Sequence, residues 1–282
     1  MTQAMWIRFQ ELVEEAVAMD PAAIVVTGVP GHFASGADIT EFAVTKGDAR
    51  AARASFAAVD DVCRRLTEAP VPTVAAVDGY ALGAGLELLA ACDLRLGTST
   101  ARFGIPAARL GITIGHGHIR RLIWAVGPSR ALEMLLTARF FTAEEARSTG
   151  LLHTVAADWD ELQGRTAELC ERLYGLSPQS LRYAKAAVHR ILADPALESV
   201  EDDAGMAIEA FGTDEFREGA RAFLERRSPR FRPPLEDAGL QGRTLGPGPD
   251  PEPGPSSDPS GSPGSHPPPD PEHSPRKEDA DS

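Results

Sequence analysis

The sequence predicts an α/β core that gives way to a helical C-terminal part. Three features carry that expectation. Short β-branched runs bounded by glycine or proline alternate with stretches of helical periodicity over the first hundred residues or so. From Phe141 onward the apolar spacing is helical, broken at Gly150 and Pro178 and ending near Arg227. Beyond Pro234 periodicity stops. Strands alternating with helices, then helices alone, fit a sheet covered by helices with a helical extension.

The elements follow in order. Residues 3–18 place Trp6, Phe9, Leu12, Val13 and Ala16 at helical spacing, and Asp20-Pro21 ends that helix. "AIVVTG" up to Gly28 is a buried strand, and the glycine-containing loop "GVPGHFASGAD" follows it. Residues 48–68 are helical, with Pro70 and Pro72 past the end. "TVAAVDG" (73–79) is a second strand, and "GYALGAGLELLAACD" (79–93) turns it into a helix. "DLRLGT" is a third strand, "ARFGIPAARLGI" a loop, and 116–126 and 129–137 are helices.

The chain has 282 residues, enough for one sizeable core. Its formal charge of −13 is uneven. Residues 236–282 hold ten Asp or Glu against three Lys or Arg, and twelve of the 23 prolines. Such a segment cannot bury enough apolar surface to offset its ordering entropy. It is expected to be a disordered tail, 233–282, after a folded domain, 1–232, and to serve either as a solvated spacer or as a docking segment. No basic stripe or finger spacing points to nucleic acid. The three cysteines, Cys63, Cys92 and Cys170, have neither zinc nor redox-motif spacing and suit a reducing cytoplasm. No apolar run approaches the ~18 residues of a membrane span, and the acidic, amphipathic N-terminus is not a signal peptide. A cytoplasmic protein without membrane or nucleic-acid partners is the expectation.

Two segments share a design. "FASGADI" follows the first strand and "ALGAGLE" the second, each placing small residues where strand passes to helix. Small residues let the backbone approach a ligand, and the first N–H groups of a helix have no internal acceptor. Two such ends converging would make an oxyanion hole. Small residues serve equally well for tight strand–helix packing, and spacing does not choose between the two. Glu87 stands out because an unpaired charge in an apolar helix costs several kcal/mol or takes up a proton.

The segments "VVTGVPGHFASGADITEF", "VPTVAAVDGYALGAGLELLAACDLRLGTSTARFGIP", "LGITIG", "LLTARFFTAEEARSTGLLHTV" and "FGTDEFREGARAFLERR" together resemble the enoyl-CoA hydratase/isomerase family, the crotonases. The resemblance covers nearly all of 1–232. It implies a crotonase-like spiral of ββα turns with a helical C-terminal trimerisation region, a homotrimer or hexamer, and an acyl-CoA thioester as substrate. Coenzyme A would belong to that substrate, with no other cofactor and no metal. It also implies an oxyanion hole from the backbone N–H groups of Ala37 and Ala84. Coenzyme A contacts would come from Ala37, Asp38, Ile39, Thr40, Phe223 and Arg226, and Glu87 would be a catalytic acid/base.

The chain departs from the family in three places. Where hydratases carry a second glutamate after "FG-x-P", this chain has Ala107, which offers no proton. Double-bond isomerisation needs fewer groups than hydration, and a catalytically impaired acyl-CoA binding protein is the alternative. Where relatives read "PGAGGTQRL", this chain reads "IGHGHIRRL". His116 is the stronger substitute base of the two histidines there, His118 the weaker. Each serves otherwise as a helix-start or solvated residue, and Arg120 and Arg121 hold an anionic group or form a solvated or subunit face. His32 and His153 are expected to be structural. The hairpin that the family places before the first helix has no counterpart, so the true start is expected upstream or the chain is a shortened member.

Overall fold

The computed structural model describes residues 1–44, 49–193 and 211–233. The expected tail and part of the C-terminal helical run lie outside the described residues. After helix α1 (Gln3–Ala18), three successive units each add a strand to one sheet, a strand or bridge to a second, and then helix. The first unit is β1 (Ile24–Thr27), a bridge from Ala34 to Ala81, and helices α2 (Ile39–Val44) and α3 (Ala49–Glu68). The second is β2 (Thr73–Val77), β3 (Tyr80–Leu82) and α4 (Ala84–Ala91). The third is β4 (Leu94–Thr98), β5 (Arg102–Gly104), α5 (Ala107–Leu110) and α6 (His116–Thr137). Then come β6 (Phe141–Thr142), α7 (Ala143–Ser148), β7 (Thr154–Ala156), α8 (Trp159–Tyr174), α9 (Pro178–Ala193) and a final described helix, Asp214–Glu225.

The larger sheet is parallel, in the order β1-β2-β4-β7, with Val25 beside Val74 and Val74 beside Leu94. The smaller one is β3-β5-β6, parallel between β3 and β5 and antiparallel between β5 and β6. This is the ββα succession that the family resemblance implies. Strand β2 lies in the middle and is buried along its whole length. Ala75 and Val77 face a cluster built with Val62, Leu66, Leu86 and Leu89, while Val74 and Ala76 face Leu162 and Leu173. A strand covered on both faces has no solvent side, so its sequence is a continuous apolar run rather than an alternation.

The long elements fall where the periodicity places them. Helix α1 buries Trp6 and Val13, and α6 breaks at Gly127 (φ 75°) just before Pro128, where the sequence divides it. Four short strands differ from the expectation. Strand β3 lies inside the segment expected to turn straight into helix, β5 inside the expected loop, and β6 and β7 inside the expected helical run. Each is two or three residues long, too short for a period of two to show, and is held by the register of its neighbours. The one-turn helix α5 was missed in the same loop for the same reason.

Helix α9 fastens the helices that carry the site. The Lys185 ammonium donates to Leu66 O (3.0 Å) and Val71 O (3.1 Å) and pairs with Asp93 Oδ2 (2.7 Å). Asp93 Oδ2 also accepts from the Thr73 N–H (2.8 Å) and hydroxyl (2.9 Å). Burial pushes the Asp93 carboxyl up, but His189, Lys185 and the Thr73 amide outweigh it and hold the group below its usual range. One ammonium thus ties the end of α3, the start of β2 and the end of α4 together. Replacing Lys185 by Met leaves Asp93 without its cation, and urea unfolding is expected to show a loss of about 3 kcal/mol at pH 7.

Candidate active site

The two strand-to-helix junctions meet backbone to backbone. Ala34 donates its N–H to Tyr80 O (2.9 Å) and accepts from the Leu82 N–H (3.0 Å), so segment 34–37 runs beside β3. At Gly36, a Cβ would stand 3.0 Å from Leu82 O and 3.3 Å from Ala84 N. At Gly85, a Cβ would stand 2.1 Å from Ala34 O. Neither position accommodates a side chain without moving the other strand-to-helix junction. Ala84 opens helix α4, and its N–H has no residue one turn back to bond. The Gly83 N–H is spent on Gly104 O (2.9 Å), while Gly83 O accepts from Leu86 (2.9 Å) and Glu87 (3.1 Å). Ala37, one residue past the Gly36 contact, is half-buried and precedes Asp38, whose N–H donates to Met1 O (2.9 Å).

Glu87 lies one residue short of a full turn beyond Ala84 and is only 8% exposed. Its Oε2 is 3.2 Å from His118 Nδ1. Arg121 Nη1 is 3.4 Å from the same ring nitrogen and donates to Asp60 Oδ1 (2.9 Å), which in turn lies 3.7 Å from His118 Nε2. Four polar side chains from α3, α4 and α6 therefore form one cluster, with His118 and Arg121 buried and Asp60 half open to solvent. Gly117 makes room for it, since a Cβ there would stand 3.2 Å from Asp60 Oδ1. Burial pushes the Glu87 carboxyl up to about 7; Arg121 pulls it back and Asp60 adds to the rise. Burial pushes His118 down; Asp60 opposes this and Arg121 adds to it. Glu87 is therefore poised to change charge near neutrality beside an imidazole whose resting form is favoured as uncharged.

The other expected site residues divide. Asp38 Oδ1 accepts from the Thr40 hydroxyl (2.7 Å) and N–H (2.8 Å), bonds that hold its carboxyl below the usual range. Ile39 and Thr40 are exposed at the start of α2, beside Ala37. Phe223 is 83% exposed, and Arg226 caps the final described helix with φ 55°. That helix is bonded through Glu215 to Ser177 and to the Gln179 N–H (3.1 Å), at the start of α9. His116 is exposed at the first position of α6, whereas His118 meets Glu87. Residues two apart on a helix point about 200° apart, so only one of the pair can face inward. Ala107 begins α5 and packs its methyl against the main core. His153 is structural, its N–H on Arg95 O (2.8 Å) and its Nδ1 accepting from the Arg95 N–H (3.0 Å).

Comparison with known proteins decides the family. The model of the enoyl-CoA hydratase/isomerase family matches residues 7–234. The chain belongs to the enoyl-CoA hydratase/isomerase family. A probable enoyl-CoA hydratase of Mycobacterium leprae is 38% identical over 213 residues, 75% of this chain and 80% of that one. The mouse mitochondrial methylglutaconyl-CoA hydratase is 32% identical over 212 residues, 74% of this chain and 67% of that one. Among solved structures, an enoyl-CoA hydratase/carnithine racemase from Magnetospirillum magneticum superposes with a TM-score of 0.77 at 29% identity, covering 82% of this chain and 86% of that one. An enoyl-CoA hydratase subunit from Geobacillus kaustophilus gives 0.74 at 36% identity, covering 82% and 89%. The crotonase-like fold is therefore that of this chain.

Within this family member, Asp60 is absent from the sequence-level site, and Arg121 enters it only as a holder of an anionic group or a solvated or subunit residue. Asp60 stands next to Asp61 in an amphipathic helix, the usual mark of a solvated face, and Arg121 next to Arg120. The signal for Arg121 was its spacing of three from His118, which puts both on one helix face. No feature of the sequence singles out Asp60. Glu87 also leaves a thermodynamic signature. Its folded value of about 7 lies above the ordinary carboxyl value of 4.5, so the folded chain binds the proton more tightly. Its contribution is stabilising below the unfolded value and is lost as pH rises through the folded one. Relative to the native chain, Glu87→Gln is expected to gain on the order of 2–3 kcal/mol between pH 5 and pH 8 in denaturant unfolding, reflecting relief from that buried ionisation.

Proposed function

We propose that this chain binds an enoyl-CoA thioester, holds the thioester oxygen with the N–H groups of Ala37 and Ala84, and moves a substrate proton with Glu87. The observation that supports this reading is the close approach of the two strand-to-helix junctions, where a Cβ on Gly36 would stand 3.3 Å from Ala84 N. Hydrogen bonds from fixed donors stabilise the enolate oxygen more than the ground-state carbonyl, because charge develops there. A carboxyl that changes charge near pH 7 is suited to take and return a proton at carbon. Taking the α-proton of a 3-enoyl-CoA gives a dienolate, and returning a proton at the γ-carbon gives the 2-enoyl-CoA. One carboxylate serves both steps. Hydration needs a second group to handle water, and the methyl of Ala107 supplies none, so double-bond migration is the favoured outcome.

Asp38, Ile39, Thr40, Phe223 and Arg226 are assigned to coenzyme A contact in this reading, and the exposed Phe223 ring is free for it. No metal or redox cofactor enters the reaction. Three or six copies assemble through the C-terminal helices, and the location is cytoplasmic. The alternative, an acyl-CoA binder without turnover, is favoured by Ala107 alone. Crotonyl-CoA hydration and 3-enoyl-CoA isomerisation, each followed by ultraviolet absorbance, test the reading. Glu87→Gln is expected to lower kcat by about 100- to 10,000-fold while the thermal shift on adding acyl-CoA persists. Undiminished turnover in that variant contradicts the role of Glu87. A thermal shift with no turnover in the native chain supports the binder.

A further inference from the structure

The relatives' glutamate after "FG-x-P" is missing here, but the Glu87 carboxylate is not alone. His118 Nδ1 lies 3.2 Å from Glu87 Oε2, and the ring's other nitrogen looks toward Asp60 Oδ1 at 3.7 Å. We propose that His118 is a positioning residue that takes the Glu87 proton at Nδ1 while its Nε2–H faces Asp60, leaving Glu87 ionised to act on the bound thioester. This rests on the acid/base role of Glu87 proposed above.

The arrangement of donors fixes the resting state. Arg121 Nη1, a permanent donor, faces His118 Nδ1 at 3.4 Å. That nitrogen is therefore bare and the ring proton sits on Nε2, toward Asp60. With Nδ1 bare, the proton between it and Glu87 Oε2 belongs to the carboxyl, which donates to the ring. Burial favours this uncharged pair.

Transfer breaks the Glu87 O–H bond and forms the Nδ1–H bond. It leaves a carboxylate and an imidazolium, and no proton enters or leaves the site. Every charged or titratable group facing the pair bears on that state. Arg121, from α6, attracts the new carboxylate and opposes the imidazolium. Asp60, from α3, does the reverse. The two are bonded to each other at 2.9 Å, so they form a fixed dipole alongside the separated charges. Cys63, also from α3, is buried, and burial keeps its thiol protonated, so it contributes no charge. The carboxylate then takes the substrate α-proton, the C–H electron pair moves into the enolate, and Glu87 returns a proton to the γ-carbon. His118 keeps its own proton through both steps. The pair behaves as one coupled site, with titration steps that belong to both members.

The test has one arm that needs no substrate. In the full chain with 15N-labelled histidine, ring-nitrogen shifts are expected to show His118 with its proton on Nε2 and Nδ1 as acceptor. They are also expected to show a titration step shared with Glu87 that disappears in Glu87→Gln. A neutral His118 ring with its single proton on Nδ1 and Nε2 bare, or a titration unchanged in Glu87→Gln, overturns the proposal. In the second arm, His118→Asn keeps a hydrogen-bonding atom near the place of Nδ1 but cannot take a proton. Turnover of a 3-enoyl-CoA is expected to lose about tenfold to hundredfold in kcat with KM within about twofold. The acidic limb of its pH profile is expected to move to higher pH. Full kcat with an unmoved limb in His118→Asn, while Glu87→Gln is inert, overturns this inference and leaves the Glu87 reading standing. Full activity in Glu87→Gln overturns that reading itself. Should His118→Asn not fold, Asp60→Asn at a half-exposed position tests the same step. It removes the charge opposite the imidazolium, and its kcat is expected to fall in the same direction; an unchanged kcat overturns the proposal.

Discussion

A close approach of two backbones governs the proposed site. Segment 34–37 and the start of α4 touch through Gly36 and Gly85, with main-chain atoms where any larger residue would place a Cβ. The hydrogen bonds of Ala34 to Tyr80 and Leu82 hold that contact in register. Everything proposed about chemistry follows from it. In the proposed reading it brings the first helical N–H of α4 and the N–H of Ala37 to one thioester oxygen, and Glu87 follows because it lies in the first turn of the same helix. In that reading side chains do not build this part of the site, and Ala37 and Ala84 are proposed to serve through main-chain atoms.

The second constraint is electrostatic. A carboxyl buried to 8% exposure is costly as an ion, and the chain has not removed the cost by pairing Glu87 directly with a cation. The buried cation, Arg121, is bonded instead to Asp60. Glu87 is left facing an imidazole, and burial raises its carboxyl to about 7, with Arg121 pulling it back and Asp60 adding to the rise. A direct Arg–Glu pair would hold the carboxylate permanently ionised, and a purely apolar pocket would hold it permanently protonated. The scaffold beneath is rigid for a separate reason. Lys185 and Asp93 bind the ends of α3 and α4 to one another, so Asp60 and Glu87 sit on helices whose ends are fixed.

Much of this was legible in the sequence, and the residues explain why. Strands β1, β2 and β4 are long enough to show as apolar runs and the long helices long enough to show a period, and the break at Gly127-Pro128 is written in its residues. Strands β3, β5, β6 and β7 are too short to carry a pattern and exist because a neighbouring strand offers them partners. Glu87 was visible as a charge out of place in "GLELLAA". The choice between His116 and His118 was not, since it depends on where α6 begins and how it is rotated. Asp60 was invisible because its partner lies 61 residues away and becomes a neighbour only because α3 and α6 both pack on α4.

The most direct measurement is a crystal structure of the chain with an acyl-CoA thioester analogue bound. The account predicts the thioester oxygen within about 3 Å of both the Ala37 and Ala84 nitrogens, with the Glu87 carboxyl facing the α-carbon. A thioester oxygen bonded elsewhere, or Glu87 turned away from the acyl chain, would contradict it.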